Sequence, residues 1–192
     1  MATYSWDELD QHCQRLVRDG ATPAIALAVS DRDQTRLVRT YGLANRDTGR
    51  PATPATAFEL GSVGKSFASI MVLQQCERGA LDLGAPIGRY LPWLDLPAAA
   101  PITLHHLLSH TAGLPEDAGA DQAPRADALT LAAGGPYAPG GEFGYSNAGY
   151  NLIGYLLEDL LGQPYGALLR AHILEPLGMA ETWPVLDEAA RG

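Results

Sequence analysis

Hydrophobic positions repeat with a helical period at the start of the chain, a strand-like one after it, and a helical one again further along. Leu9, Cys13, Leu16 and Val17 share one helical face; Ser5-Trp6-Asp7-Glu8 before them has capping-box spacing, and Gly20 follows as a stop. Residues 23–30 alternate Ile25, Leu27 and Val29 with alanines, which predicts a strand apolar on both faces. A turn at 31–34 leads to a second strand over 35–42, where Leu37 and Tyr41 alternate with Arg36 and Val38. Gly, Asn, Asp and Pro mark 42–56 as loop. A helix is then expected over about 62–78, its face carried by Phe67, Ile70, Met71 and Gln74 and closed by Gly79. Shorter helical stretches follow around 86–90, 104–109 and 126–133, with an exposed loop at 118–125. The strongest helical stripe is at 148–161, where Leu152, Ile153, Leu156, Leu157, Leu160 and Leu161 align ahead of Gly162; a last helix covers about 165–173.

A hairpin followed by a helical block is an α+β pattern. Two strands alone are marginal and leave edges unpaired, so further strands are expected to complete the sheet. At 192 residues and 46% hydrophobic, the chain has the composition of a globular protein with room for a buried core. No window reaches the ~18 uninterrupted apolar residues of a membrane span, and the start lacks the basic flank and apolar core of a secretory signal. A cytoplasmic protein that binds no membrane is the expectation. A net charge of −9 argues against nucleic acid as a partner. Cys13 and Cys76 read as two reduced, buried thiols.

Of 13 basic residues only Lys65 is a lysine, in the stretch Leu60-Gly61-Ser62-Val63-Gly64-Lys65-Ser66-Phe67. Arginine keeps its proton, whereas a lysine can give it up when its surroundings disfavour the charge. Ser62 and Lys65, three apart at a helix start, share one face. Serine is a weak nucleophile until a base takes its proton, and lowering a lysine pKa by ~3 units requires about 4 kcal/mol of desolvation or like-charge repulsion. The positive helix N-terminus favours both the neutral amine and an oxyanion developing nearby. A second cluster, Pro139-Gly140-Gly141-Glu142-Phe143-Gly144-Tyr145-Ser146-Asn147, delivers a phenol and an amide just before the strongest helix. Beside a cationic amine, a phenol ionises more easily and serves as a base. Asn147 offers a donor and an acceptor to a substrate amide and to the lysine. The bland alternatives are a core aromatic at Tyr145 and a helix N-cap at Asn147.

Ser62-Val63-Gly64-Lys65 and Tyr145-Ser146-Asn147 resemble the first two motifs of the serine β-lactamase and penicillin-binding-protein superfamily, in its class C-like branch. Leu107-Leu108-Ser109-His110-Thr111-Ala112-Gly113-Leu114-Pro115 resembles the loop between those motifs, and Glu175-Pro176-Leu177-Gly178-Met179-Ala180-Glu181-Thr182 the segment after the second. The resemblance implies a β-lactamase/transpeptidase-like fold. It also implies Ser62 as the acylated nucleophile, Lys65 and Tyr145 as the proton-transfer pair, and Asn147 as a substrate and lysine contact. The substrate would be a small-molecule ester or amide, with no cofactor and no metal.

The third motif of that superfamily, Lys-Thr-Gly or His-x-Gly, has no counterpart: no lysine follows Lys65, and none of His105, His106, His110 or His172 has glycine two positions on. Residues 1–192 therefore read as a single incomplete domain, with the hairpin and its helix in 1–60 and a mostly helical part in 61–192. The remaining sheet strands would lie outside this chain. The alternative to an enzyme is a non-catalytic truncated homologue or split-protein fragment that binds a complementary chain, or self-associates, across the open sheet edge. A phosphate-binding loop ending in Gly64-Lys65-Ser66 fails because Glu59 stands where its first glycine belongs, and the α/β-hydrolase elbow fails at Leu60. His106 and His110, four apart, have metal-ligand spacing but no accompanying Glu; ordinary helix-end histidines are the better reading, with His110 ordering the loop beside the cleft.

Overall fold

A computed structural model of the chain describes residues 6–94, 102–114 and 139–184. Ser5, the helix expected at 126–133 and the loop at 118–125 lie outside the described residues. Two compact units divide between Glu59 and Leu60.

In the first unit, α1 (Trp6–Arg18) turns buried Cys13 and half-buried Leu9, Leu16 and Val17 toward an antiparallel hairpin, β1 (Ala24–Ser30) and β2 (Thr35–Asn45). The register runs from Ala24 opposite Gly42 to Val29 opposite Leu37, with a bulge before Ser30. Ile25, Leu27 and Val29 are half-buried while Ala26 and Ala28 are exposed, so this strand of two apolar faces buries only its branched one. The turn is set by Asp31, whose Oδ1 accepts from the Asp33 and Gln34 amides, both at 2.9 Å. Those bonds, with a contact from Arg36, hold the Asp31 carboxyl below its usual range.

The stretch from Gly42 to Thr56 is not all loop. β2 continues to Asn45 and pairs with a short β3 (Arg50–Pro51), making the sheet order β1-β2-β3. Gly42 reads as a strand stop, yet it takes φ 80° within β2, and a Cβ there would stand 2.2 Å from the Pro23 carbonyl oxygen. The residue is glycine because two stretches of backbone meet, not because pairing ends.

The second unit is a helical block. A 3₁₀ turn (Gly61–Val63) runs into α2 (Gly64–Glu77); α3 (Leu104–Leu108) packs on α4 (Asn147–Leu161), and α4 and α5 (Tyr165–Leu169) pack on α2, the last passing into a π-helical turn at Arg170–Leu174. Met71, Val72, Ile87, Leu107, Ile153 and Leu157 are among the fully buried side chains of its core. Each such burial removes enough apolar surface from water to contribute about 1.5–3 kcal/mol. The buried face of α2 is Ala68, Met71, Val72 and Gln75, turned from the expected one: Ile70 is 44% exposed, beside Val63 at 59% and Leu73 at 45%. Along α4 the leucine stripe is buried to Leu157, whereas Leu160 is exposed. Gly162 ends this helix at φ 67°, its N–H on the Glu158 carbonyl at 2.8 Å. Cys13 is buried, but Cys76 is only partly so, because it lies at the edge of the α2 face. No helix among the described residues is long and apolar enough to cross a membrane.

Candidate active site

All four residues singled out in the sequence meet within the helical unit. The 3₁₀ turn ahead of α2 lifts Ser62 into an exposed position and sets Lys65 one turn along, half-buried. Lys65 Nζ donates to Ser62 Oγ at 3.2 Å and to Asn147 Oδ1 at 2.7 Å. The Tyr145 hydroxyl donates to Ser62 Oγ at 2.5 Å. The serine oxygen thus has an amine on one side and a phenol on the other, and when either of those loses its proton it becomes an acceptor for the serine hydrogen.

Local structure explains how Tyr145 and Asn147 arrive there. Ser146, not Asn147, caps α4: its extended backbone places the hydroxyl to accept from the Gly149 N–H at 3.2 Å. That leaves the Asn147 amide, on the first helical residue, for Lys65. The glycine-rich segment before it is tied to the residues after α3, with Gly140 N–H on the Thr111 carbonyl at 2.9 Å and Gly144 N–H on the His110 carbonyl at 2.8 Å. His110 stands where its expected loop-ordering role requires: Nδ1 accepts from the Ser146 N–H at 3.1 Å, and its ring lies 4.5 Å from the Tyr145 ring. Burial, with the nearby Lys65 charge as the lesser cause, pushes the His110 pKa down from its ordinary 6.5. His106 caps α3, its Nδ1 taking the Thr103 N–H while the Thr103 hydroxyl takes that of His106.

Two participants were not anticipated. Tyr150 bonds the Leu108 carbonyl at 3.1 Å and the Ser69 hydroxyl at 3.0 Å, and Ser69 returns to the Lys65 carbonyl at 2.9 Å. The Lys65 ammonium lies 4.9 Å from the Tyr145 ring centre and 5.6 Å from that of Tyr150, within cation–π range of both. Helical spacing held the signal: Tyr150 is three residues past Asn147, and Ser69 four past Lys65.

A small antiparallel sheet and a helical unit give this chain an α+β fold of the β-lactamase/transpeptidase-like class. This chain belongs to the β-lactamase family, whose model matches residues 9–191, and so to the serine β-lactamase and penicillin-binding-protein superfamily. It is 36% identical over 177 residues to the esterase EstB of Burkholderia gladioli, a match covering 80% of this chain and 45% of that protein. Among solved structures, the D-amino acid amidase of Ochrobactrum anthropi SV3 superposes with a TM-score of 0.80 at 28% identity, covering 93% of this chain and 51% of that one. The octameric penicillin-binding protein homologue of Pyrococcus abyssi gives 0.80 at 27% identity, covering 92% and 44%. The chain therefore spans about half the length of the relatives it matches.

Proposed function

We propose that this chain carries the nucleophile side of an acyl-transferring serine hydrolase site for a small ester or amide. The observation that supports this most is the placement of Ser62 Oγ between Lys65 Nζ and the Tyr145 hydroxyl, at 3.2 and 2.5 Å. Ser62 Oγ attacks the substrate carbonyl carbon while its proton passes to the Lys65–Tyr145 pair. The same pair returns that proton to the departing alcohol or amine as the carbonyl–heteroatom bond breaks, leaving an ester on Ser62. Water then attacks the ester carbonyl, giving one proton to the pair and releasing the acid, and Ser62 recovers its hydrogen. Asn147 holds Lys65 and offers hydrogen bonds to the substrate amide. The esterase and amidase among the relatives support the substrate class. Ser62→Ala is expected to abolish turnover of a simple aryl ester with melting temperature and circular dichroism unchanged; undiminished turnover would overturn the assignment.

The second reading, a piece that binds a complementary chain, is favoured by the exposed apolar positions Val63, just before α2, and Ile70 and Leu73 along it. On that reading Ser62 stays unmodified by a fluorophosphonate until the complement is supplied. β1 pairs on one side only among the described residues, and self-association there belongs to the same proposal.

A further inference from the structure

We infer that His110 is the positioning residue for Tyr145: its neutral imidazole, packed against two tyrosine rings, fixes the phenol against Ser62. The inference rests on the proposed roles of Ser62 and Tyr145 and adds the group that keeps them in register. Three independent features converge on this ring. Its Nδ1 accepts the Ser146 N–H at 3.1 Å, which fixes the peptide directly after Tyr145 and places the proton of the neutral ring on Nε2. Its ring centre lies 4.5 Å from that of Tyr145 and 5.1 Å from that of Tyr150, tilted by 30° and 36°, and 5.7 Å from that of Phe143 in a T-shaped contact. Its own backbone is held at φ 57°, a left-handed conformation uncommon outside glycine, and its carbonyl takes the Gly144 N–H at 2.8 Å. One residue thus anchors the Tyr145 segment on both flanks and along its ring.

Protonation would undo this arrangement. A proton on Nδ1 would face the Ser146 N–H and forfeit that bond, and the new cation would share its surroundings with Lys65. The ionisable groups facing the ring among the described residues are Lys65 from α2, Tyr150 from α4 and Tyr145 itself. None is a carboxylate that would favour the charged imidazole, and its pKa lies below 6.5. Tyr145 should therefore sense His110 as the solution is acidified.

The test uses three proteins, wild type, His110→Ala and His110→Asn, each with ¹³C-labelled tyrosine, the Tyr145 signal being assigned by its loss in Tyr145→Phe. Asparagine tolerates the left-handed backbone and offers an oxygen where Nδ1 stands, but does not titrate. In wild type the Tyr145 signal should shift with a midpoint below pH 6.5. That inflection should vanish in His110→Asn, and His110→Ala should broaden the signal. Acylation of Ser62 by an aryl ester should fall ~10–100-fold in His110→Ala through kcat with KM little changed, as expected for a misplaced proton carrier. His110→Asn should recover most of that loss and lose the acid limb. A Tyr145 signal indifferent to pH and to both substitutions, or acylation undiminished in His110→Ala, would overturn the inference. A wild type that never acylates, with Tyr145 still following His110, would sink the Ser62 reading while sustaining this one.

Discussion

Ser62 can attack a carbonyl only if its proton has somewhere to go. Lys65→Arg keeps the positive charge beside Ser62 and Asn147 but removes a group able to act as a base, since guanidinium does not deprotonate in a protein. Loss of a positioned proton carrier typically costs ~10²–10⁴-fold, so Lys65→Arg is expected to slow aryl-ester acylation by that order without unfolding the chain. Stopped-flow release of the aryl alcohol measures it, and an unchanged burst would show that Lys65 contributes charge alone. Spacing alone put Ser62 and Lys65 one helical turn apart and Tyr145 and Asn147 after a glycine-rich turn; the roles proposed for the four came from the resemblance of the two motifs that hold them. The bond between Ser69 and Tyr150 joins residues 81 apart, and no local period reports such a contact. His110 was legible as a loop-ordering residue, but its contacts with two tyrosine rings depend on how three segments pack.

At the scale of elements, the glycines separate two effects that sequence alone merges. Gly42 and Gly49 both take positive φ, at 80° and 70°, yet a Cβ on Gly42 would meet the Pro23 carbonyl oxygen at 2.2 Å while one on Gly49 meets nothing within 4 Å. Both alanine variants bear the left-handed backbone cost of roughly 1–2 kcal/mol. Only Gly42→Ala must also push β1 from β2, so its urea midpoint should fall well below that of Gly49→Ala; equal midpoints would contradict the packing described. The hairpin itself was readable from alternation, whereas its extension to Asn45 was hidden by a glycine that looks like punctuation. The helices behaved alike. Length and stops of α4 were clear from its leucines and Gly162, but the buried face of α2 was off by a step because its polar residues, Lys65, Ser66, Ser69, Gln74 and Gln75, are interspersed among the apolar ones and mark no single stripe, Gln75 itself being buried. Ile153 of α4 is fully buried. Ile153→Ala should cost about 2–5 kcal/mol in denaturant unfolding, against a small change for the exposed Ile70→Ala. Comparable losses at the two sites would contradict the observed face.

At the scale of the whole molecule, pH exposes which groups folding has displaced. Burial holds Tyr41 and Tyr165 up at about 12 from their ordinary 10.0, with Asp10 adding to the rise at Tyr41. A raised folded pKa means the native state keeps protons the unfolded chain has already lost. Their contribution is therefore complete below pH 10 and is lost as pH rises toward 12. His106 and His110 lie below 6.5, both mainly through burial, so the unfolded chain binds protons first and stability falls as pH drops from 6.5 toward the folded values. Melting temperatures should thus decline on both sides, and Tyr165→Phe should shallow the alkaline slope; a slope unchanged by that substitution would contradict the burial assigned to Tyr165. The fold class was readable from the order of periods, and the missing third motif from the sequence beside its relatives' length, about twice this chain's. The proposed function stands on acylation of Ser62, which intact mass spectrometry of the chain after exposure to an activated aryl ester reads as a mass increase. One acyl mass should appear, map to the peptide holding Ser62, and be absent from Ser62→Ala; a chain left unmodified, or modified at another residue, would contradict it.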